Sequence, residues 1–183
     1  MTCIVGMIDG DDVLIGADSC GGDVEQYTVI NRADTKVFTR GPYLFGFTSS
    51  FRMGQLLQYN LEVPEHPHGM NNHCFMATRF IDSVRRCLTS GGFAAKKDEV
   101  ESGGTFLVAY SGSLFTVYGD YQVGENADGY ASVGCGYEFA YGAIHATEGE
   151  PAMTRVKKAL KAAAKFSAYV MPPFHVLRLK GNA

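Results

Sequence analysis

The sequence carries no excess of positive charge: 16 Lys and Arg stand against 19 Asp and Glu, a formal net charge of -3 at pH 7. The pI is about 5.9. Binding to nucleic acid or to an anionic membrane needs a basic footprint, so neither partner is expected. No apolar stretch approaches the roughly 20 residues a spanning helix requires. The start, Met1 to Asp12, has neither a basic n-region nor a small-residue cleavage site. A soluble, cytoplasmic chain is the expectation. The cysteines Cys3, Cys20, Cys74, Cys87 and Cys135 are odd in number, scattered and without C-x-x-C spacing. That excludes a paired disulfide framework and favours free thiols in a reducing compartment. The Gly-rich stretch 119–136 lacks both G-x-x-x-x-G-K-[ST] and G-x-G-x-x-G, so no nucleotide cofactor and no built-in unfolding motor are expected. No internal repeat of 20 to 50 residues is present.

What is there is apolar. With 46% apolar and 19% charged residues over 183 positions, the chain reads as one domain, 1–183, able to bury a substantial core. Thr2 to Ile8 and Val13 to Ala17 alternate around the turn chemistry of Asp9-Gly10-Asp11-Asp12 and read as a hairpin. Tyr27 to Ile30, Thr35 to Thr39 and Tyr43 to Thr48 follow as strands. The period then changes. Met53, Leu56 and Leu57, and after a Pro/His loop Ala77, Phe80, Ile81, Val84 and Leu88, have helical spacing. Gly91 to Gly104 reads as a loop, and Thr105 to Tyr110 with Leu114 to Tyr118 as a second hairpin. A helix follows Gly134-Cys135-Gly136, another starts near Pro151, and Phe174 to Leu179 is a closing strand. This order predicts an α+β fold in four layers, αββα, with two stacked, mainly antiparallel sheets between helix pairs.

Two charges stand out against that pattern. Asp18 follows an apolar strand and Lys36 precedes Val37 and Phe38. Either charge buried alone would be costly, so a buried Asp18–Lys36 pair resolves both, and a solvated surface pair is the bland alternative. Thr2 is a β-branched strand residue that becomes something else if Met1 is trimmed, as initiator Met is before a small side chain. An N-terminal Thr carries a nucleophilic hydroxyl and, on the same residue, an amine of pKa about 7.7 to 8.0 to accept its proton. Ser49 or Ser50 would cap the helix that follows them. His66, His68, His73 and Cys74 crowd a proline loop without a second ligand pair, so no metal is expected. Lys157, Lys158, Lys161 and Lys165 fit a solvated helix face. Cys135, between two glycines, reads on its own as a packed thiol.

The strings T-C-I-V-G at Thr2 to Gly6, V-L-I-G-A-D at Val13 to Asp18, T-K-V-F at Thr35 to Phe38 and S-V-G-C-G-Y-E-F-A-Y-G-A at Ser132 to Ala143 together resemble proteasome β-type subunits and their bacterial HslV-type relatives, including proteasome-related proteins of bacteria and phages. The resemblance spans most of the chain. It implies a threonine peptidase of the N-terminal-nucleophile (Ntn) class, with Thr2 as nucleophile after loss of Met1 and with Asp18 and Lys36 tuning it. Ser49 supplies a backbone N–H to the oxyanion, where the family favours Gly. Cys135 stands in place of a serine near the nucleophile's amine, and Ser167 and Ala168 occupy the region of a late acidic residue. The implied partners are a peptide or unfolded-protein substrate, further copies in stacked rings, and a separate AAA+ ATPase. No cofactor is implied. Two alternatives stay open: an inactive ring subunit that kept the fold, and an Ntn amidase acting on a small amide.

Overall fold

The computed structural model describes residues 2–23 and 28–181. The expected processing of Met1 and the position of Tyr27 lie outside the described residues. Apolar alternation produces the first hairpin, β1 (Ile4–Asp9) and β2 (Asp12–Ala17), paired Ile4↔Ala17 to Asp9↔Asp12. Then come β3 (Cys20–Asp23), β4 (Thr28–Asn31), β5 (Val37–Arg40) and β6 (Tyr43–Phe47). The helices α1 (Phe51–Tyr59), α2 (Asn72–Phe75) and α3 (Ile81–Ser90) follow, α2 and α3 joined by a π-helical stretch over Met76–Phe80. Strands β7 (Ala95–Lys97), β8 (Val100–Ser102), β9 (Phe106–Tyr110), β10 (Ser113–Val117), β11 (Val123–Glu125) and β12 (Tyr130–Val133) precede α4 (Tyr137–Ala146), α5 (Ala152–Phe166) and β13 (His175–Leu179).

Two antiparallel sheets carry the fold. One has the order β12-β1-β2-β13 and the other β11-β10-β9-β6-β5. Three apolar clusters show what each face buries. Phe45, Phe80, Val84, Leu88 and Phe106 join the five-stranded sheet to the helices 51–90. Val5, Leu14, Val156 and Leu160 join the four-stranded sheet to α4 and α5. Ile4, Ile15, Leu44 and Leu107 fill the space between the sheets. The sheets come close at Gly46, where a Cβ would lie 2.5 Å from Ile15 Cγ2 and 2.6 Å from Ile4 Cγ2. A side chain there would force the layers apart.

Several elements differ from the sequence expectation. Within Gly91–Gly104 the strands β7 and β8 form a hairpin. Its Asp98 and Glu99 both have left-handed φ, 50° and 66°, the backbone a two-residue hairpin turn needs. Both strands are mostly exposed, so they carry no apolar alternation to betray them. The long helical region starts earlier than its periodicity, at Asn72, because the Asn71 carboxamide accepts from the Cys74 N–H at 2.8 Å. His66 belongs to the packing: its ring stacks on Phe75 at 4.2 Å and bonds the Tyr110 hydroxyl and the Met70 carbonyl. The four lysines of α5 are exposed as expected.

Strand β13 is clipped to β2 by charge. Asp12 accepts from Arg178 at 2.8 Å, Lys180 at 2.9 Å and the Gly181 N–H at 3.0 Å. These donors, Arg178 first, hold its carboxyl well below the usual carboxylate range. A depressed folded-state pKa contributes stability above the unfolded value of about 3.9 and loses it as pH falls through the folded value. Asp12→Ala is therefore expected to speed amide exchange across residues 175–181 at pH 7. At acid pH the wild-type strand should move toward the same rates.

Candidate active site

The carboxylate of Asp18 is fully buried and fully used. It accepts from Lys36 Nζ at 2.9 Å, the Cys3 N–H at 2.9 Å and the Cys20 N–H at 2.8 Å. Three donors on one carboxylate satisfy a group that would otherwise be prohibitive to bury. Lys36 is only 1% exposed. The approach to β5 is tied to the end of β6 by the Phe47 N–H, which donates to the Lys36 carbonyl at 3.0 Å. The ammonium lies 5.8 Å from the centre of the Phe51 ring.

Thr2 precedes β1 and is buried. Its carbonyl oxygen accepts from the Gly136 N–H at 3.3 Å and from the Cys135 thiol at 3.5 Å. Gly134 makes that approach possible. Its φ is +98°, and a Cβ there would sit 2.2 Å from the Thr2 oxygen, so neither the backbone nor the space admits a side chain. Cys135 Sγ is also 3.3 Å from Ser167 Oγ. Ser132 extends the same support, its hydroxyl donating to the Ile4 carbonyl at 2.9 Å. Cys135 thus reaches Thr2 through the main-chain carbonyl and takes its second contact from Ser167, in the region where the family resemblance implies an acid.

Ser49 has a left-handed φ of 66°, a conformation that costs a non-Gly residue about 1–2 kcal/mol. Its hydroxyl accepts from the Thr105 N–H at 3.0 Å, while the Thr48 N–H donates to the Thr105 carbonyl at 3.2 Å. The turn is thereby stapled to the segment entering β9. The N-cap of α1 is Ser50, whose hydroxyl accepts from the Arg52 N–H. The two adjacent serines have divided the roles.

A cavity of about 80 Å³ brings together Thr2, Lys36 and Ser49, with Cys20, Gly22 and Phe51 along its walls. Asp18 stands behind it through Lys36, and Cys135 touches Thr2 through the carbonyl. A larger hollow of about 410 Å³ between α1 and α3, lined by Arg52, Leu56, Arg86 and Cys87, contains none of these residues. Chemistry and not size selects the smaller one. A hydroxyl and a buried ammonium converge on one cavity beside a strained turn, and a hydroxyl next to a fixed positive charge is chemistry that acyl transfer can use. No group of three or more His, Cys, Asp or Glu among the described residues could hold a metal ion.

Sequence reasoning missed Cys20, Phe51, Ser132 and the steric demand at Gly134. Only the glycine left a trace, in the Gly134-Cys135-Gly136 punctuation. The thiols themselves differ in a measurable way. Burial pushes Cys3 up to about 12 and raises Cys20 and Cys87, whereas Cys74 and Cys135 are exposed. A thiolate-directed reagent such as iodoacetamide at pH 7.5 is expected to modify Cys74 and Cys135 in the native protein and the other three only on unfolding, as peptide mapping would show.

The sequence matches no family model and no curated protein. The fold does have solved counterparts. BPH from Thiobacillus denitrificans superimposes with a TM-score of 0.81 at 16% identity, covering 98% of each chain. The same protein in complex with epoxomicin gives 0.76 at 17% identity, covering 99% of this chain and 100% of that one. HslV from Trypanosoma brucei gives 0.69 at 18% identity, covering 97% and 99%. BPH and HslV are proteasome-type Ntn hydrolases. The chain described here has that fold: mixed α and β, built on antiparallel sheets. No helix among its described residues is long and apolar enough to cross a membrane.

Proposed function

We propose that this chain belongs to the proteasome and HslV-type peptidases and cleaves peptide bonds through an N-terminal Thr2 exposed by loss of Met1. The observation that carries the reading is the buried Asp18–Lys36 pair, 2.9 Å apart, whose ammonium lines the same cavity as Thr2 and Ser49. A buried ion pair is an expensive way to stabilise a core. Beside a hydroxyl nucleophile it supplies a fixed positive charge where an alkoxide develops.

The residues divide the work as follows. The free α-amine of Thr2 accepts the hydroxyl proton as Oγ attacks the peptide carbonyl, and Lys36, oriented by Asp18, stabilises the developing negative charge. The backbone N–H of Ser49 donates to the oxyanion. The amine then hands the proton to the leaving nitrogen as the C–N bond breaks. Water, activated by the same amine, hydrolyses the Oγ ester and frees the hydroxyl. Cys135, itself in contact with Ser167, holds the Thr2 carbonyl. The reading includes a four-layer αββα sandwich in one domain, 1–183, which the three apolar clusters support. The same reading carries self-association into rings, a separate AAA+ ATPase as unfolding partner and a cytoplasmic location.

The test begins with intact mass and N-terminal sequencing of the purified chain, followed by incubation with epoxomicin, the compound in complex with BPH. The expected result is a chain starting at Thr2 that gains one inhibitor mass on that residue. Quantitative retention of Met1 with no adduct would sink the peptidase reading and leave an inactive ring subunit in its place.

A further inference from the structure

β1 lies between β2 and β12 in its sheet. One cavity gathers Thr2, ahead of β1, with Lys36, ahead of β5, and Ser49, just after β6. On the β12 side, the ends of β9, β10 and β12 and the start of α4 bound a larger one of about 420 Å³, lined by Tyr118, Tyr137, Tyr141, Thr105, Thr116 and Ser132. Both of its ends touch the reaction centre. Gly134, part of its wall, packs on the Thr2 carbonyl. Thr105 is hydrogen-bonded through both its N–H and its carbonyl to the Thr48–Ser49 turn. A peptide crossing Thr2 from one flank would run into this second cavity on the other.

Its chemistry is specific. Tyr137 and Tyr141 meet edge to face, 6.2 Å apart at 89°. The Tyr137 hydroxyl donates to Glu138 Oε1 at 3.2 Å, which brings a carboxylate to the rim. Among the described residues, no Lys or Arg lines the cavity. Arg155, over the neighbouring Tyr130 ring, is tied to the Ile144 carbonyl at 3.0 Å. Aromatic faces, a rim carboxylate and wall hydroxyls without a resident cation form a receptor for a cation.

We propose that this tyrosine-lined cavity is a substrate subsite for a lysine or arginine side chain in the peptide segment that leaves with the amine. The inference rests on the peptidase reading of Thr2. The flank follows from the proton's route. The leaving nitrogen collects its proton from the α-amine of Thr2, the residue whose carbonyl is held by Gly136 and Cys135 in the turn after β12.

Two measurements on the processed full chain test it. The first is hydrolysis of quenched fluorescent peptides that differ only at the two positions after the cleaved bond, carrying Arg, Lys, Ala or Glu. About tenfold higher kcat/KM is expected for Arg and Lys than for Ala. Tyr137→Ala should collapse the preference to within twofold, and Tyr137→Phe, which keeps the ring face, should retain most of it. Tyr137 is 44% exposed, so its truncation leaves the core alone. The second is calorimetric binding of the product segment Arg-Ala-Ala-amide, expected to be saturable and about tenfold weaker in Tyr137→Ala. Equal cleavage of all four peptides with no product binding overturns the subsite and leaves the peptidase intact. Product binding that Tyr137→Ala weakens, without cleavage of any peptide, supports the cation site and overturns the peptidase.

Discussion

Replacing Thr2 with Ala is expected to lower peptide turnover by a factor on the order of 10³ to 10⁶ and to shift the thermal midpoint by no more than a few degrees. The two effects separate because the anchors that fix this part of the chain are main-chain groups. The Thr2 carbonyl is held by Gly136 and Cys135, and the next N–H, of Cys3, is held by Asp18. None of these bonds uses the Thr2 side chain, so Ala inherits the geometry and loses the hydroxyl. Thr2→Ser keeps a hydroxyl and should retain measurable activity. Fluorogenic peptide assays beside circular dichroism melts decide it. Wild-type rates in Thr2→Ala would move the nucleophile to another residue.

The largest effect on stability is expected from Asp18. Asp18→Ala strands the Lys36 ammonium, only 1% exposed, and removes the acceptor from the Cys3 and Cys20 N–H groups. Breaking a buried pair from one side costs about 3–5 kcal/mol. In a chain of this size that corresponds to a fall in Tm of roughly 6–20 °C. The double variant Asp18→Asn with Lys36→Met removes both charges at once, and replacing a buried pair with uncharged groups of similar volume is often close to neutral. It should recover most of the lost stability and none of the activity, because the charge proposed to steady a Thr2 alkoxide is gone. Denaturant melts and peptide assays on the same samples separate the roles. A double variant as unstable as Asp18→Ala would assign the pair to the core alone.

How much of this was written in the chain follows from which forces leave a mark in sequence. Apolar runs announce strands buried on both faces, and helical periodicity announces helices that bury one, which is why β1, β2, β6, β9 and β10, and α3 and α5, were legible. The exposed hairpin β7–β8 buries too little to set a pattern, β3 and β11 are short and broken by Gly, and β12 has only four residues. The Asp18–Lys36 contact could be anticipated because two charges beside apolar runs had few other ways to be buried. The left-handed backbone at Ser49 was foreseeable only through the family's preference for Gly there. Contacts made by the backbone left no such mark. That Gly134 abuts the Thr2 oxygen, or that Cys20 donates its N–H to Asp18, depends on the path of the chain between elements.

The three donors on Asp18 come from residues 3, 20 and 36, on three separate segments of the chain. The carboxylate is satisfied only once the entry to β1, the entry to β3 and the approach to β5 have all arrived. Under the proposed reading of Thr2, folding and the arming of the threonine would therefore be one event. A nascent or misfolded chain lacks the paired ammonium beside the hydroxyl, so the proposed activity would be withheld from any copy that has not completed its own fold.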